Sequence, residues 1–426
     1  MAPPSLWLYR LLVAGALPLV VPALALADRV RDKRRPSLAS RLARRPPALP
    51  RGGLWLQAVS VGEVELARRL LVELSARDST PVLLTATTAT GLELARRTLE
   101  GRATVMPCPL DLPGAVRRVL EAACPAALAL VETELWPEML HQAGRRRVPV
   151  AVVNARLSEG AFVRYRRVRW PLRSLLEPVT RVLARSPADA ERFAALGVPA
   201  PRLVVTGNVK YDLEADRTPL PWVDRLRELA RGRPVVVAGS TMAGEEELVT
   251  DAVARLRRSG LDPFLVLAPR HPERFDVVAR GLAEEGLAVA RRSQPEDPAG
   301  ADMLLLDTIG ELGRAYRLAA AAFVGGSLAP TGGHNPLEPA VWGVPVLTGP
   351  HVHNFAEVYD ALLAAGAARV VGDAGSLAGA LGEWLVDETA RRRAGAAGQG
   401  VVAANRGALR RTVDELLALM GRKSGG

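Results

Sequence analysis

The sequence predicts an α/β fold built from two doubly wound parallel sheets. Short, continuous, β-rich apolar runs alternate with helical patterns, as in strands that are buried on both faces of a sheet. This alternation stops over the polar, proline-punctuated residues 216–232 and then restarts. A chain of 426 residues also suits two domains of roughly 150–200 residues each better than one core. Ligands of such domains bind at the carboxyl ends of the strands, so we expect a site in a cleft between the domains.

The elements follow in order along residues 53–215 and then along residues 233–426. The first domain has predicted strands at Leu54–Val59, Pro81–Thr85, Ala103–Pro107, Ala126–Val131, Val148–Val153, Val182–Ala184 and Leu203–Thr206, with helical patterns such as Val64–Ser75 and Ala188–Leu196 between them. Residues 216–232 are expected to be an interdomain linker. The second domain has predicted strands at Pro234–Ala238, Phe264–Ala268, Met303–Asp307, Ala321–Val324, Val344–Leu347 and Ala368–Val371, and terminal helices over Ser376–Met420.

The composition restricts the partners. The chain is 49% hydrophobic and 24% charged, which is typical of a globular protein, and its net charge of +11 suits an anionic partner such as membrane lipid, nucleic acid or a phosphorylated substrate. Aromatic residues make up only 4% and are not interleaved with basic ones, so nucleic acid is not expected as a partner. Cys108 and Cys124 have no metal-ligand spacing and indicate two ordinary thiols in a reducing compartment.

The N-terminal segment predicts a membrane anchor over residues 1–35, followed by a linker over residues 36–52. Leu11–Ala27 carries no charge but is short for a spanning helix, and Pro18 and Pro22 argue against a straight helix. Basic residues are concentrated after the apolar run, which favours an anchor with the domains in the cytoplasm over a secretory signal. Spanning and interfacial placements both remain open at this point.

In the first domain, carboxylates follow two predicted strands. Glu63 follows the first strand, where a carboxylate can take a proton from an attacking hydroxyl, although Ser60 and Glu63 also have the spacing of a capping box. Glu132 and Glu134 follow a later strand and either stabilise charge on a ligand or form an ordinary acidic helix start. Lys210 near the end of this domain either meets a phosphate or is a solvated surface lysine.

In the second domain, the candidate residues are cationic or lie in glycine-rich turns. Arg270, His271 and Arg274 follow one strand, and Arg can bind phosphate through two hydrogen bonds. The segment Gly310–Leu312 opens a helix, either as a plain cap or as backbone that reads a base edge.

The stretch "GGHNPLEPA" at 332–340 is the most unusual segment of the second domain. Asn335 can cap a helix with Pro336 at its first position and Glu338 one turn in, which is again a capping box. That interpretation leaves His334 and the glycines unexplained. A helix start open to a cleft would instead receive phosphate, with Glu338 on ribose hydroxyls. The first strand of this domain is not followed by a Walker loop or a GxGxxG fingerprint, so kinase and dehydrogenase functions lose support.

Taken together and in order, these motifs closely resemble the bacterial 3-deoxy-D-manno-octulosonic acid (Kdo) transferases of lipopolysaccharide synthesis. The resemblance extends from the N-terminal segment to about residue 372 and is carried by "SVGE", "ETELWP", "NARLS", "GNVKYD", "PRHPERF", "GEL" and "GGHNPLEPA". It implies a GT-B fold, which consists of two Rossmann-like domains facing a cleft. It also implies an inverting glycosyltransferase that moves Kdo from CMP-Kdo to a lipid A precursor (lipid IVA) on the cytoplasmic side of the inner membrane. Neither a metal nor another cofactor is expected.

The same resemblance implies roles for particular residues. Glu63 matches the general base, and Glu132 and Lys210 match positions that stabilise the transition state. The CMP-binding segments match Pro269, Arg270, Gly310, Glu311, Leu312, Asn335, Pro336, Leu337 and Glu338. The basic segment Val163–Arg173 either faces lipid phosphates or is an ordinary amphipathic surface helix.

Two residues depart from the family's pattern. Met242 stands where His is usual, and a Met cannot donate a hydrogen bond to phosphate. Glu138 stands where Asn is usual, at the edge expected to receive the acceptor. The alternatives are another GT-B enzyme that uses a UDP-sugar, or an inactive membrane-anchored sugar-nucleotide binder.

Overall fold

A computed structural model describes residues 3–31, 36–218, 221–294, 296 and 300–422. The chain divides into two compact units. The first, unit 1, comprises Met1–Asp212 with Arg406–Gly426, and the second, unit 2, comprises Leu213–Asn405. Each unit contains its own seven-stranded sheet, in which every pairing between neighbouring strands is parallel.

Unit 1 is a doubly wound α/β unit with strand order β3-β2-β1-β4-β5-β6-β7. Its strands are β1 Leu54–Ala58, β2 Val82–Ala86, β3 Thr104–Pro107, β4 Ala127–Val131, β5 Val150–Ala155, β6 Val179–Ala184 and β7 Leu203–Val205. Strands β1, β2, β4 and β5 are buried along their whole length, because helices cover both faces of the sheet. The strand order reverses between β1 and β4, and in sheets of this kind ligands bind at that reversal.

The helices of unit 1 pack on both faces of this sheet and form two apolar clusters. Those that come before unit 2 in the chain are α1 Pro4–Arg31, α2 Leu38–Arg41, α3 Val61–Ser75, α4 Ala89–Thr98, α5 Pro113–Ala123, α6 Pro137–Arg145, α7 Glu159–Arg167, α8 Arg169–Leu176 and α9 Pro187–Ala195. Serine or threonine side chains cap several of them, including Ser60 at α3 and Ser158 at α7.

Helix α1 runs through both Pro18 and Pro22, whereas these prolines were expected to interrupt a straight helix. Its first turns pack on unit 1, where Leu6 is buried and the Tyr9 hydroxyl donates to Asp111 Oδ2 at 2.8 Å. Within the part of the chain that the structure describes, no helix combines the length and apolarity that crossing a membrane requires, so the spanning form of the predicted anchor is not supported. Much of the predicted basic flank lies at residues 32–35, outside the described residues.

Unit 2 repeats the architecture with strand order β10-β11-β9-β8-β12-β13-β14. Its strands are β8 Val235–Thr241, β9 Phe264–Pro269, β10 Val289–Arg291, β11 Met303–Leu305, β12 Ala319–Val324, β13 Val346–Thr348 and β14 Ala368–Val370. Every predicted strand coincides with an observed one, and among the described residues the sequence missed only β10. That strand is three residues long and only half-buried at its ends, so its apolar signal is weak.

The helices of unit 2 are α10 Pro221–Ala230, α11 Glu245–Arg258, α12 Phe275–Glu284, α13 Leu312–Ala315, α14 Leu337–Ala340, α15 Ala356–Ala364, α16 Ala374–Val386 and α17 Glu388–Asn405. Helix α10 lies in the segment that was expected to be a linker. It buries Trp222, Val223, Leu226 and Ala230 in the core of unit 2, because residues at this spacing share one helix face. The prolines around it hid this periodicity in the sequence.

The final helix, α18 Ala408–Leu419, belongs to unit 1, although the sequence placed all terminal helices in the second domain. It buries Val413, Leu416 and Leu417 in the same apolar cluster as α3 and β1. The Asp212 carboxylate accepts hydrogen bonds from the backbone N–H groups of Gly407 and Leu409, which caps the start of α18. A local sequence pattern predicts that this helix exists, but not which sheet it packs against.

Candidate active-site residues and the family

Glu63 lies at the carboxyl edge of the unit 1 sheet, in the first turn of α3. Its side chain is 8% exposed. Oε2 accepts a hydrogen bond from the Val59 N–H at 2.7 Å, and Oε1 accepts one from the Ser60 hydroxyl at 2.9 Å. The Glu63 N–H donates in turn to Ser60 Oγ at 3.4 Å. The capping geometry is therefore present, and it holds the carboxylate at the edge where ligands of such sheets bind.

The environment of Glu63 favours a proton-accepting role near neutral pH. Burial raises the pKa of Glu63 to about 7, and the hydrogen bonds from Val59 and Ser60 oppose that rise only in part. Glu134 and Glu132 contribute smaller upward effects, which places all three carboxylates in one electrostatic neighbourhood. A general base is most effective when its pKa is close to the working pH.

Glu132 follows β4, on the other side of the strand-order reversal from Glu63. Its φ of 59° lies in the left-handed region, which is uncommon for a residue other than glycine and is enriched at functional sites. Its N–H donates to the Val153 carbonyl at 2.8 Å, so the strained turn is anchored to β5. The neighbouring Glu134 has a raised pKa, because it is partly buried and lies close to Glu132. The sequence predicted both carboxylates but not the strained backbone.

Asn154 and Lys210 lie near the same edge of unit 1. Asn154, at the end of β5, is fully buried with φ 52°, and its Oδ1 accepts the Val209 N–H at 3.2 Å. The Lys210 N–H donates to Asn208 Oδ1 at 3.1 Å within a short 3-10 turn. Asn154 thus positions the segment that carries Lys210. The quoted motif "NARLS" contains Asn154, but nothing in its pattern indicated this positioning contact.

Unit 2 contains a cavity of about 560 Å³ at its own strand-order reversal, between the ends of β8 and β12. Its lining includes Ser240, Arg270, Gly310, Leu312, Gly313, His334, Asn335, Glu338 and Trp342. Most of the residues expected to bind CMP therefore lie together in one cavity. The lining also includes Leu213, Glu214 and Asp216, which the sequence did not indicate, and the Asp216 carboxylate is paired with Arg314 of the same lining.

The cationic residues after β9 have different roles. Arg270 is exposed in this cavity and forms no ion pair with any residue that the structure describes. Arg274 instead makes two hydrogen bonds to the buried Glu246 carboxylate, at 2.7 and 2.9 Å. His271 is exposed and lies 3.8 Å from Glu273. Of the three cations that the sequence grouped together, Arg270 is the one available to a phosphate within the cavity.

The segment Asn335–Glu338 leads into α14, which begins at Leu337 and is a single helical turn rather than a longer helix. Asn335 Oδ1 accepts the Leu337 N–H at 3.1 Å, and Asn335 Nδ2 lies 3.4 Å from Glu338 Oε1. Burial raises the pKa of Glu338, while Asn335 and Arg270 oppose that rise. At one turn, α14 lacks the aligned dipole of a longer helix, so side chains rather than a helix start must recognise a ligand here.

His334 and Glu311 are two further residues that the structure distinguishes. Burial lowers the pKa of His334 to about 4, with a further contribution from Arg270, so the imidazole is neutral at physiological pH. The Glu311 carboxylate binds Arg292 at 2.9 Å and also accepts the Thr308 hydroxyl. Its neighbours Gly310 and Leu312 line the cavity, whereas Glu311 does not. The Glu311 side chain is therefore directed to Arg292 and Thr308 and not into the cavity, and the expected role of the Gly310–Leu312 backbone stays a prediction.

Known proteins resemble this chain over most of its length. A family model described as 3-deoxy-D-manno-octulosonic-acid transferase (kdotransferase) matches residues 33–213. A 3-deoxy-D-manno-octulosonic acid transferase from Haemophilus influenzae is 38% identical over 372 residues, which are 86% of this chain and 87% of that protein. One of the same name from Bordetella pertussis is 38% identical over 398 residues, 89% of this chain and 90% of that protein.

The chain belongs to the Kdo transferase family. It is accordingly a glycosyltransferase. In fold, a glycosyltransferase from Rickettsia africae ESF-5 matches with a TM-score of 0.55 at 10% identity, covering 87% of this chain and 99% of that one. A UDP-GlcNAc 2-epimerase from Neisseria meningitidis matches with a TM-score of 0.58 at 13% identity, covering 86% of this chain and 100% of that one. These matches show a two-domain fold of parallel sheets that resembles GT-B.

The structure shows the contacts of Glu138 and Met242, the two residues that depart from the usual pattern of Kdo transferases. Glu138 is fully buried and receives two hydrogen bonds from Arg10 of α1, both at 2.8 Å. It also accepts a hydrogen bond from Gln142 at 2.6 Å, so its contacts hold α1 rather than a ligand. The Met242 N–H donates to Glu245 at 2.9 Å, a backbone contact that either Met or His can make.

Proposed function

We propose that this protein transfers Kdo from CMP-Kdo to a lipid A precursor with inversion at the anomeric carbon. The observation that carries this proposal is the 38% identity to curated Kdo transferases over most of the chain. The site geometry supports it, because unit 1 holds a carboxylate poised to accept a proton and unit 2 has a cavity lined by the exposed Arg270. The residue roles below are part of the same proposal.

Glu63 is the general base in this mechanism. Its carboxylate takes the proton of the acceptor hydroxyl while that oxygen attacks the anomeric carbon of Kdo. The bond between the anomeric carbon and the phosphate oxygen breaks, and CMP leaves with the bonding electrons. Base catalysis of this kind contributes about 10²–10⁴-fold to a rate. Glu132 and Lys210 stabilise the charge that develops in the transition state, as preorganised charged groups do.

The cavity of unit 2 holds the CMP part of the donor. The Arg270 guanidinium receives the phosphate, since a planar guanidinium binds phosphate oxygens through two parallel hydrogen bonds. Glu338 receives the ribose hydroxyls, with Asn335 beside it. Pro269, at the end of β9, sets the position of Arg270, and Pro336 and Leu337 form the turn that carries Glu338. The backbone of Gly310–Leu312 faces the base.

The acceptor is an anionic lipid, and we place the enzyme at the cytoplasmic face of the inner membrane. Val168, between α7 and α8, and Trp170 of α8 are both exposed, and Trp170 is 86% exposed. The basic residues Arg164, Arg166, Arg167, Arg169 and Arg173 occupy α7 and α8 around them. Exposed aromatic and aliphatic side chains among arginines suit the interface of an anionic membrane. The N-terminal helix exposes Trp7, Leu8, Leu11 and Leu12.

The test is transfer activity in detergent. The purified protein is incubated with freshly made CMP-Kdo and a tetra-acylated lipid A precursor, and the products are resolved by mass spectrometry. The expected product is the precursor with one or more added Kdo masses, and CMP is expected to protect the protein from thermal unfolding where UDP does not. Protection by UDP alone would point to a UDP-sugar enzyme. CMP binding by wild-type protein without any product would point to a sugar-nucleotide binder.

A further inference from the structure

Glu245, the first residue of α11, extends a buried carboxylate into the turn that follows β12. Its side chain is 1% exposed. Five backbone N–H groups donate to it, those of Gly326 and Met242 to Oε2 at 2.7 and 2.9 Å, and those of Ser327, Leu328 and Ala329 to Oε1 at 2.9, 2.8 and 3.1 Å. Four of the five donors belong to consecutive residues of one turn.

Consecutive backbone N–H groups that converge in this way form an anion-binding concavity. In this protein its occupant is the protein's own carboxylate. The fit leaves no room for a side chain at Gly325, because a Cβ there would lie 2.7 Å from Glu245 Oε2 and 2.7 Å from the Ser240 carbonyl oxygen. A phosphate of the ligand is therefore not bound by this turn and must be held by other groups.

The turn held by Glu245 leads directly into the cavity of unit 2. The Gly333 N–H donates to the Gly326 carbonyl at 2.7 Å, and the His334 N–H donates to the Gly325 carbonyl at 3.2 Å. The Thr331 hydroxyl donates to the Gly326 carbonyl at 2.8 Å. The backbone of the turn thus sets where His334, and the Asn335 that follows it, enter the cavity lining.

We propose that Glu245 is a positioning residue for the donor nucleotide, which acts by holding the turn at 325–329 so that His334 and Asn335 face the ligand. This inference rests on the proposed function. The neighbouring Glu246 has a different task, because its carboxylate binds Arg274 and the Thr241 hydroxyl. Of these two adjacent buried carboxylates, Glu245 therefore positions the site and Glu246 stabilises the fold.

The experiment is Glu245→Gln in the full-length protein. A glutamine amide cannot satisfy this turn in either orientation, because its NH₂ group would face backbone N–H donors at both oxygen positions. We expect the Kd for CMP and the KM for CMP-Kdo to rise at least ~10-fold, as for loss of a hydrogen bond to a charged group. We also expect kcat at saturating donor and the KM for the lipid acceptor to change less than about twofold, and backbone amides 326–329 to exchange hydrogen faster.

Matched controls separate positioning from general destabilisation. Glu247→Gln, an exposed residue two positions further along α11, is expected to change neither the donor KM nor amide exchange. Glu246→Gln is expected to lower the Tm without raising the Kd for CMP. A folded Glu245→Gln protein with wild-type CMP affinity would overturn the proposal, as would an equal rise in both KM values.

A second variant serves if Glu245→Gln does not fold. Glu245→Asp keeps the charge but withdraws the carboxylate, so its CMP Kd should rise by a smaller factor, and an unchanged Kd would again overturn the proposal. Wild-type protein that binds UDP and not CMP would overturn the proposed function instead. The positioning role is then measured with UDP in the same variants.

Discussion

Ser60 and Glu63 exchange two hydrogen bonds. The Ser60 hydroxyl donates to Glu63 Oε1 at 2.9 Å, and the Glu63 N–H donates to Ser60 Oγ at 3.4 Å. This pair had two competing interpretations in the sequence, a helix cap and a catalytic base. The geometry makes them compatible, because the contact that caps α3 also orients the carboxylate and favours its ionised form.

The first prediction concerns the pH dependence of transfer. The base must be ionised, so kcat/KM should rise with pH up to the Glu63 pKa of about 7 and then level off. Ser60→Ala removes a hydrogen bond to the ionised form, which raises the pKa of Glu63. The rising limb of the plot of kcat/KM against pH should therefore move to higher pH. The control is Ser158→Ala, which removes the equivalent cap of α7 and should leave the limb in place. A limb that does not move in Ser60→Ala would contradict Glu63 as the titrating group.

The second prediction concerns stability. The pKa of Glu63 is higher in the folded protein than in the unfolded chain, so the folded protein binds the extra proton and loses stability as pH rises towards about 7. Glu63→Gln removes the titrating carboxyl group and with it this loss of stability. We expect it to raise the Tm above pH 7 by ~2–4 °C, equivalent to roughly 1 kcal/mol, with a smaller effect at pH 5. Transfer activity should fall at least ~10²-fold.

Thermal unfolding at pH 5 and pH 8 and an activity assay check this second prediction. Glu65→Gln is the control, because Glu65 lies on the same helix, is half exposed and pairs with Arg68. It should show neither a pH-dependent gain in Tm nor a loss of activity. Destabilisation of the folded protein by Glu63→Gln at pH 8 would show that the carboxylate is structural.

The third prediction separates Arg270 from Arg274. Arg270→Ala removes an exposed guanidinium in the cavity that has no ion pair among the described residues, so CMP affinity should fall ~10–100-fold with little change in Tm. Arg274→Ala leaves the Glu246 carboxylate buried without its cation, which should cost about 2–4 kcal/mol of unfolding free energy. Calorimetric titration with CMP and denaturant unfolding measure the two effects. Equal losses of CMP affinity in both variants would refute the distinction.

The fourth prediction concerns the buried pair that docks α1. Arg10→Ala removes the cation that pairs with the fully buried Glu138, and it should lower the free energy of unfolding by about 2–4 kcal/mol. Arg10→Ala combined with Glu138→Asn, the residue usual in the family, removes the stranded charge and should regain at least ~1 kcal/mol of that loss. Denaturant unfolding of the single and double variants gives the coupling energy. Additive losses would mean that Arg10 and Glu138 do not interact.

Much of the functional prediction came from patterns of residues that are close together in the sequence. The order of motifs around Glu63, Arg270 and Asn335 identified the family, and the alternation of strands and helices predicted both sheets. These features are encoded in consecutive residues, since strand burial, turns and helix caps depend on neighbours in the chain. The grouping of Arg270 with Arg274 failed for the same reason. Nothing in that stretch indicates that Glu246, some 28 residues away along the chain, neutralises one of the two.

By itself, then, the sequence determined the fold class, the family and the segments that carry the candidate site residues of each unit. Tertiary structure alone decided that α18 belongs to unit 1, that Glu138 anchors α1, that Glu311 points to Arg292, and that Glu245 fills the turn after β12. The physical reason is that the partner of a charged group depends on which elements meet in space. Because a buried charge must find its partners wherever the chain brings them, such contacts join residues far apart in sequence and leave no local pattern.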